Sequence, residues 1–162
     1  MSKLSLCGSC LLTFLVAAGV APALPPPPDL RALANEPLVE IRHWSKIPDA
    51  VRRNISSHWN HESIADPGET FQEYDFGPRT GVTRRLLWAA RASSAWIVCY
   101  EHGGIVLSQH LAMVPVNANG EPGEPLWFQF TVASNAQSVK DVGALRTAIR
   151  EGRIGPSQPP YI

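Results

Sequence analysis

The stretch TRRLLWAARASSAWIVCYEHGGIVLSQHLAMV, residues 83–114, decides how this chain folds. From Thr83 onward apolar residues recur with a period of two, the signature of half-buried strands. Leu86, Trp88 and Ala90 alternate with Arg85, Leu87 and Arg91 in a first run; Ala95–His102 and Ile105–Val114 form a second and a third. Gly103-Gly104 stands between the last two. A Gly-Gly pair flanked by apolar runs is a two-residue hairpin signal, because both turn positions favour positive φ. That turn pairs His102 with Ile105, Tyr100 with Leu107 and Trp96 with Leu111. The face built from Trp96, Val98, Tyr100, Ile105, Leu107, Leu111 and Met113 is then the expected core. A three-residue loop at Ala92-Ser93-Ser94 adds Trp88 opposite Val98, Leu86 opposite Tyr100 and Arg85 opposite Glu101.

Helical signals flank this meander. Val51, Ile55 and Trp59 share one stripe behind Pro48, whose missing N–H is harmless in a first turn. Near the other end Val139, Val142, Leu145 and Ile149 make a second stripe, with Ser138 as N-cap, Asp141 as its capping-box partner and Gly152 as the stop. Residues 38–44 add a short strand, and Leu126–Val132 a further one carrying Leu126, Phe128, Phe130 and Val132. The expected fold class is α+β: a four- or five-stranded antiparallel meander packed against an N-terminal and a C-terminal helix. Its order of helix followed by meander is similar to that of cystatin-like folds, a likeness of topology that implies nothing about function.

The ends of the chain read as processing and linker sequence. Lys3, an apolar run over residues 10–21 and the small-x-small step at Ala21-Pro22-Ala23 have the form of a signal peptide over residues 1–23. The run is too short for a span, which needs about 20 residues. Five prolines in residues 24–37 predict an extended leader. A single α+β domain over 38–153 and a flexible tail over 154–162 complete the expected organisation. Arginine-rich composition and an export signal together point to a periplasmic or secreted bacterial protein.

Composition narrows the function classes. Apolar residues make up 44% of the 162 and charged ones 17%, proportions of a folded domain. Basic and acidic residues number 14 each, so nothing suggests nucleic acid or, once the signal is removed, a membrane. Loss of Cys7 and Cys10 with the signal leaves Cys99 alone, unable to close an internal disulfide.

Three groups of residues are candidates for chemistry. On the expected second face of the hairpin, Arg85, Glu101 and His110 offer a guanidinium, a carboxylate and an imidazole for hydrolysis by general acid–base catalysis. Cys99, diagonal to His110, is a nucleophile if the imidazole activates it and a packing residue otherwise. His58 and His61, spaced i, i+3 ahead of Glu62 and Asp66, are a candidate metal site on the acidic loop. Trp127, His110, Tyr100 and His102 are candidate binding residues, Trp127 as an anchor projecting away from the core. With a complete hydrophobic plan and no specific catalytic motif, the expected function is a small non-catalytic binding or protein-interaction module without cofactor. A small hydrolase and a metal-binding protein are the alternatives. The partner is an unknown protein or small ligand, and free sheet edges allow a homodimer.

Overall fold

The computed structural model describes residues 29–74, 81–130 and 139–157. It contains six strands and two α-helices in chain order: β1 (Val39–Ile41), α1 (Asp49–Ser57), β2 (Arg84–Arg91), β3 (Ala95–His102), β4 (Ser108–Pro115), β5 (Leu126–Phe130), α2 (Val142–Arg150) and β6 (Ile154–Pro156). The strands form one antiparallel sheet in sequential order β1 to β6. The fold is therefore α+β, with more strands than the four or five expected. Residues 154–156 belong to the sheet, where Phe128 faces Pro156 and Phe130 faces Ile154. They are not part of a loose tail.

α1 forms as its sequence dictates. Pro48 occupies the N-cap with extended backbone and Asp49 opens the first turn. Val51, Ile55 and Trp59 are completely buried along one stripe. The helix stops because Asn60 and His61 both take left-handed φ, 51° and 62°, and the His61 N–H turns back to donate to the Ser56 carbonyl. α2 begins later than expected. Its N-cap is Asp141, whose carboxylate accepts from the Ala144 N–H at 2.7 Å; Ser138 lies outside the described residues. Gly152, with φ 66°, ends it, and the Arg153 N–H donates to the Ala148 carbonyl.

The main departure from expectation is that both faces of the sheet are buried. On one face Leu86, Ala89, Trp96, Val98, Tyr100, Ala112, Val114 and Trp127 pack against α1 and the segment that follows it. On the other, Trp88, Ala90, Ile97, Cys99, Leu111, Met113 and Phe130 pack against α2 and Val139. Leu33, completely buried in a 3-10 turn at Ala32–Ala34, joins this second core. Part of the expected leader is thus a structural element. A bulge between Leu86 and Trp88 puts those two residues on opposite faces, so Trp88 faces Cys99 and not Val98.

The β3–β4 register also differs. His102 faces Ser108, Tyr100 faces His110 and Trp96 faces Val114, leaving residues 103–107 as the connection. Neither Gly103 nor Gly104 has positive φ. The Gly103 N–H donates to the Thr83 carbonyl and the Gly104 N–H to the Glu73 carbonyl. A Cβ on Gly103 would collide with the Gln72 backbone. The glycine pair admits a neighbouring segment and does not make the tight turn. Compared with the expected pairing, β4 moves by three residues, an odd number, so every side chain in it changes face.

Candidate functional site

The strand parity gathers the polar and aromatic residues on the α1 side of the sheet. Tyr100 and His102 point there from β3; His110, paired with Tyr100, points there from β4. The Tyr100 and His110 rings stack at 5.5 Å and 21°, and His102 stands 6.1 Å from His110. The chain leaving α1 lays Trp59 against Tyr100, ring centroids 4.7 Å apart. Trp127 follows at 6.2 Å from Trp59, with His58 at its edge. Beneath this layer Arg84 is completely buried, its guanidinium 5.0 Å from the Trp59 ring centroid. It pairs with Glu62 at 2.5 Å, and the Thr83 hydroxyl donates to the same carboxylate oxygen.

Burial sets the protonation states. It pushes the His110 imidazole down to about 4, with His102 and Arg84 acting in the same direction, so the ring is neutral near pH 7. Its Nε2 shares a 2.7 Å hydrogen bond with the Ser108 hydroxyl. Burial pushes the Tyr100 phenol well up against the pull of Arg84 and the Trp59 indole, and it stays protonated. Among the described residues, the Tyr100 hydroxyl and the indole N–H groups of Trp59 and Trp127 close no hydrogen bond of ordinary geometry. The layer is therefore aromatic and furnished with hydrogen-bonding groups, with the Arg84–Glu62 ion pair beneath it.

Tyr100, His102 and His110 are brought together as one cluster. Trp127 belongs to the same aromatic layer, but its role changes: it is buried under α1 and is not an exposed anchor. The proposed triad is split. Arg85 and Glu101 do pair, at 2.7 Å, with Gln109 on the other carboxylate oxygen and the Arg85 guanidinium over Phe71. Yet they sit on the α2 face, and His110 is on the opposite side of the sheet. Cys99 is fully buried beneath α2, opposite Leu111, with its thiol 3.7 Å from the Val139 carbonyl. Burial pushes the thiol well up, and among the described residues it has neither His110 nor any other base as a partner.

The acidic loop is dispersed. His61 lies beyond the helix and so shares no helical face with His58. Glu62 is bound to Arg84 and Thr83, and Asp66 accepts from the Trp44 N–H at 2.6 Å and contacts His43. Among the described residues no group of three His, Cys, Asp or Glu side chains is placed to hold a metal ion. Sequence reasoning missed Arg84 and Ser108. Arg84 shares its alternation with Leu86, a signal that a cation would enter the core and need a carboxylate.

A separate cleft of about 610 Å³ lies between the 3-10 turn and the end of α2, lined by Leu30, Ala34, Ile149, Ile154 and the arginines Arg31 and Arg150. No family model matches the chain, and neither a curated protein nor a solved structure is detectably similar to it.

Proposed function

We propose that this chain is an exported, non-catalytic binding module whose ligand meets the α1 side of the sheet at the half-buried His102 and His110, which stand on the buried Tyr100 ring. The observation that carries the reading is the convergence of these residues with Ser108, Trp59 and Trp127 in one aromatic layer. Apolar walls with a few placed polar groups are the usual make-up of a small-molecule site. A neutral imidazole, a phenol and a hydroxyl suit a small, polar organic ligand without strong charge. Export and the absence of a cofactor rest on the sequence reading.

The tryptophans provide the test. Five indole N–H resonances are expected from Trp44, Trp59, Trp88, Trp96 and Trp127. Trp88 lies on the other face, where its N–H donates to the Val139 carbonyl at 2.7 Å. Titration with a panel of sugars, amides and uncharged heterocycles should move Trp59 and Trp127 and leave Trp88 in place, and His110→Ala should abolish the movement. Binding that shifts only Trp88, or that survives His110→Ala unchanged, would remove this site.

One observation favours a second reading. Ser108 Oγ and His110 Nε2 have the spacing of a nucleophile and its general base. Among the described residues no carboxylate accepts from the far ring nitrogen, and the lowered basicity weakens the imidazole as a base. Labelling by a serine-directed fluorophosphonate, lost in Ser108→Ala, would replace binding by hydrolysis.

A further inference from the structure

We infer that the β3–β4 connection is a shallow membrane-docking tip, and that its occupant is the surface of an uncharged lipid bilayer. The inference does not rest on the ligand site proposed above, although the same β3–β4 connection shapes both. Ile105, Val106 and Leu107 are consecutive and 87%, 73% and 37% exposed at the end of the hairpin. Consecutive exposed aliphatic residues are rare on a folded surface and mark a contact. The tip is held at its base, not left to wander. The Gly103 and Gly104 N–H groups bond to the Thr83 and Glu73 carbonyls, and Gly103 is clamped against the Gln72 backbone.

Three features select a bilayer over a protein partner. Three aliphatic side chains offer roughly 300 Å², far below the ~800 Å² per partner of a stable protein interface. Residues 102–120 contain no Asp, Glu, Lys or Arg, so the tip itself carries no formal charge into the interface, and insertion need only stop short of Glu73 at its base. His110, the imidazole nearest the tip in β4 sequence, is held neutral by burial. Finally, Tyr74 bridges to Gly104 and is 53% exposed beside the tip, and tyrosine favours the headgroup level. Insertion must stay shallow, because backbone groups of an open loop are not tolerated in the hydrocarbon interior. No helix among the described residues is long and apolar enough to cross a membrane. Attraction of this kind is hydrophobic and insensitive to salt.

Flotation with phosphatidylcholine vesicles tests the inference. Wild type and an Ile105→Ser/Val106→Ser/Leu107→Ser variant are recovered from the exported fraction, with N-termini matched by mass. Wild type should float with the vesicles equally from about 0.1 M to about 1 M salt. The variant, melting at the same temperature, should lose more than about tenfold in partitioning. Val106→Trp should bind more tightly, with fluorescence quenched by brominated acyl chains. Equal partitioning of wild type and triple variant, no flotation of wild type, release by salt, or an unquenched tryptophan would each overturn the inference. So would wild-type self-association without vesicles that the triple variant abolishes, since the occupant is then a second copy.

Discussion

Gly103→Ala should be among the most damaging single-methyl additions in this chain, for a reason unrelated to turn conformation. The added Cβ would overlap the Gln72 carbonyl oxygen and stand 2.9 Å from both the Gln72 carbonyl carbon and the Glu73 Cα. All three are backbone atoms, so no side-chain rotation relieves the clash. The 72–74 segment must retreat by ~1 Å or more to restore ordinary contact. That retreat pulls on two hydrogen bonds, Gly104 N–H to the Glu73 carbonyl and Gln72 N–H to the Val82 carbonyl. Overpacking a tight contact costs about 1–3 kcal/mol and each weakened hydrogen bond up to about 1 kcal/mol. The expected loss is therefore roughly 2–4 kcal/mol, a fall in Tm on the order of 10 °C for a domain of this size. Gly81→Ala is the control, because Gly81 has open space around its Cβ position and no positive φ; it should melt within about 2 °C of wild type. Thermal melts followed by near-ultraviolet circular dichroism, with exchange of the Gly104 amide, read both effects. A Gly103→Ala protein that melts like the Gly81→Ala control, with its Gly104 amide still protected, would refute the close-approach account.

Glu62→Ala removes the carboxylate paired with the buried Arg84 guanidinium and should cost roughly 3 kcal/mol, with Glu62→Gln losing less, as measured by urea unfolding. Cys99, completely buried with its thiol pushed up, should resist maleimide in the native protein and react only as fast as the domain unfolds. Burial holds the folded pKa of His110 at about 4, below the ordinary imidazole value of 6.5, so the unfolded chain takes up the proton first. Stability should therefore be undiminished above about pH 6.5 and fall toward pH 4 by at most about 3 kcal/mol, a dependence that His110→Gln should flatten. Leu33→Ala should destabilise by about 3 kcal/mol in the same unfolding assay, because the N-terminal turn plugs the α2 core; a change below about 1 kcal/mol would return that turn to the status of a linker.

What the sequence makes legible follows from which signals have a single physical meaning. The Val51–Ile55–Trp59 stripe marks a helix face, and α1 lies there, although it stops at Ser57 and Trp59 continues the stripe from beyond the helix. The pairing of Leu86 with Tyr100 and Arg85 with Glu101 was also readable. In contrast, the run Ala95–Tyr100 is apolar on both parities, which describes a strand covered on two sides. Reading it as one-sided left Cys99 and Trp127 apparently outside. Residues 29–37 look like a proline-rich leader, and only the packing of Leu33 against α2 reveals otherwise.

Gly103-Gly104 is the pair on which the candidate site turned, because a glycine signals either positive φ or a close approach, and sequence does not distinguish them. With a two-residue turn, His110 shares a face with Glu101 and Cys99, the arrangement that the hydrolase alternative requires. With the five-residue connection it shares a face with Tyr100 and His102, and Ser108 becomes its partner. The same residues thus carry two different chemistries, separated by an odd number of positions in one loop. The lengthened connection has a second consequence. In a two-residue turn Ile105 and Leu107 would fill the core face; in the longer one they are carried out beyond the strand ends with Val106. The apolar tip and the relocated histidine are one event in the fold. Any change that restored the shorter turn would bury the tip and dismantle the Tyr100–His110 cluster together. A Gly103→Ala protein that retained its fold but lost the Trp59 and Trp127 indole responses along with vesicle flotation would show that linkage directly.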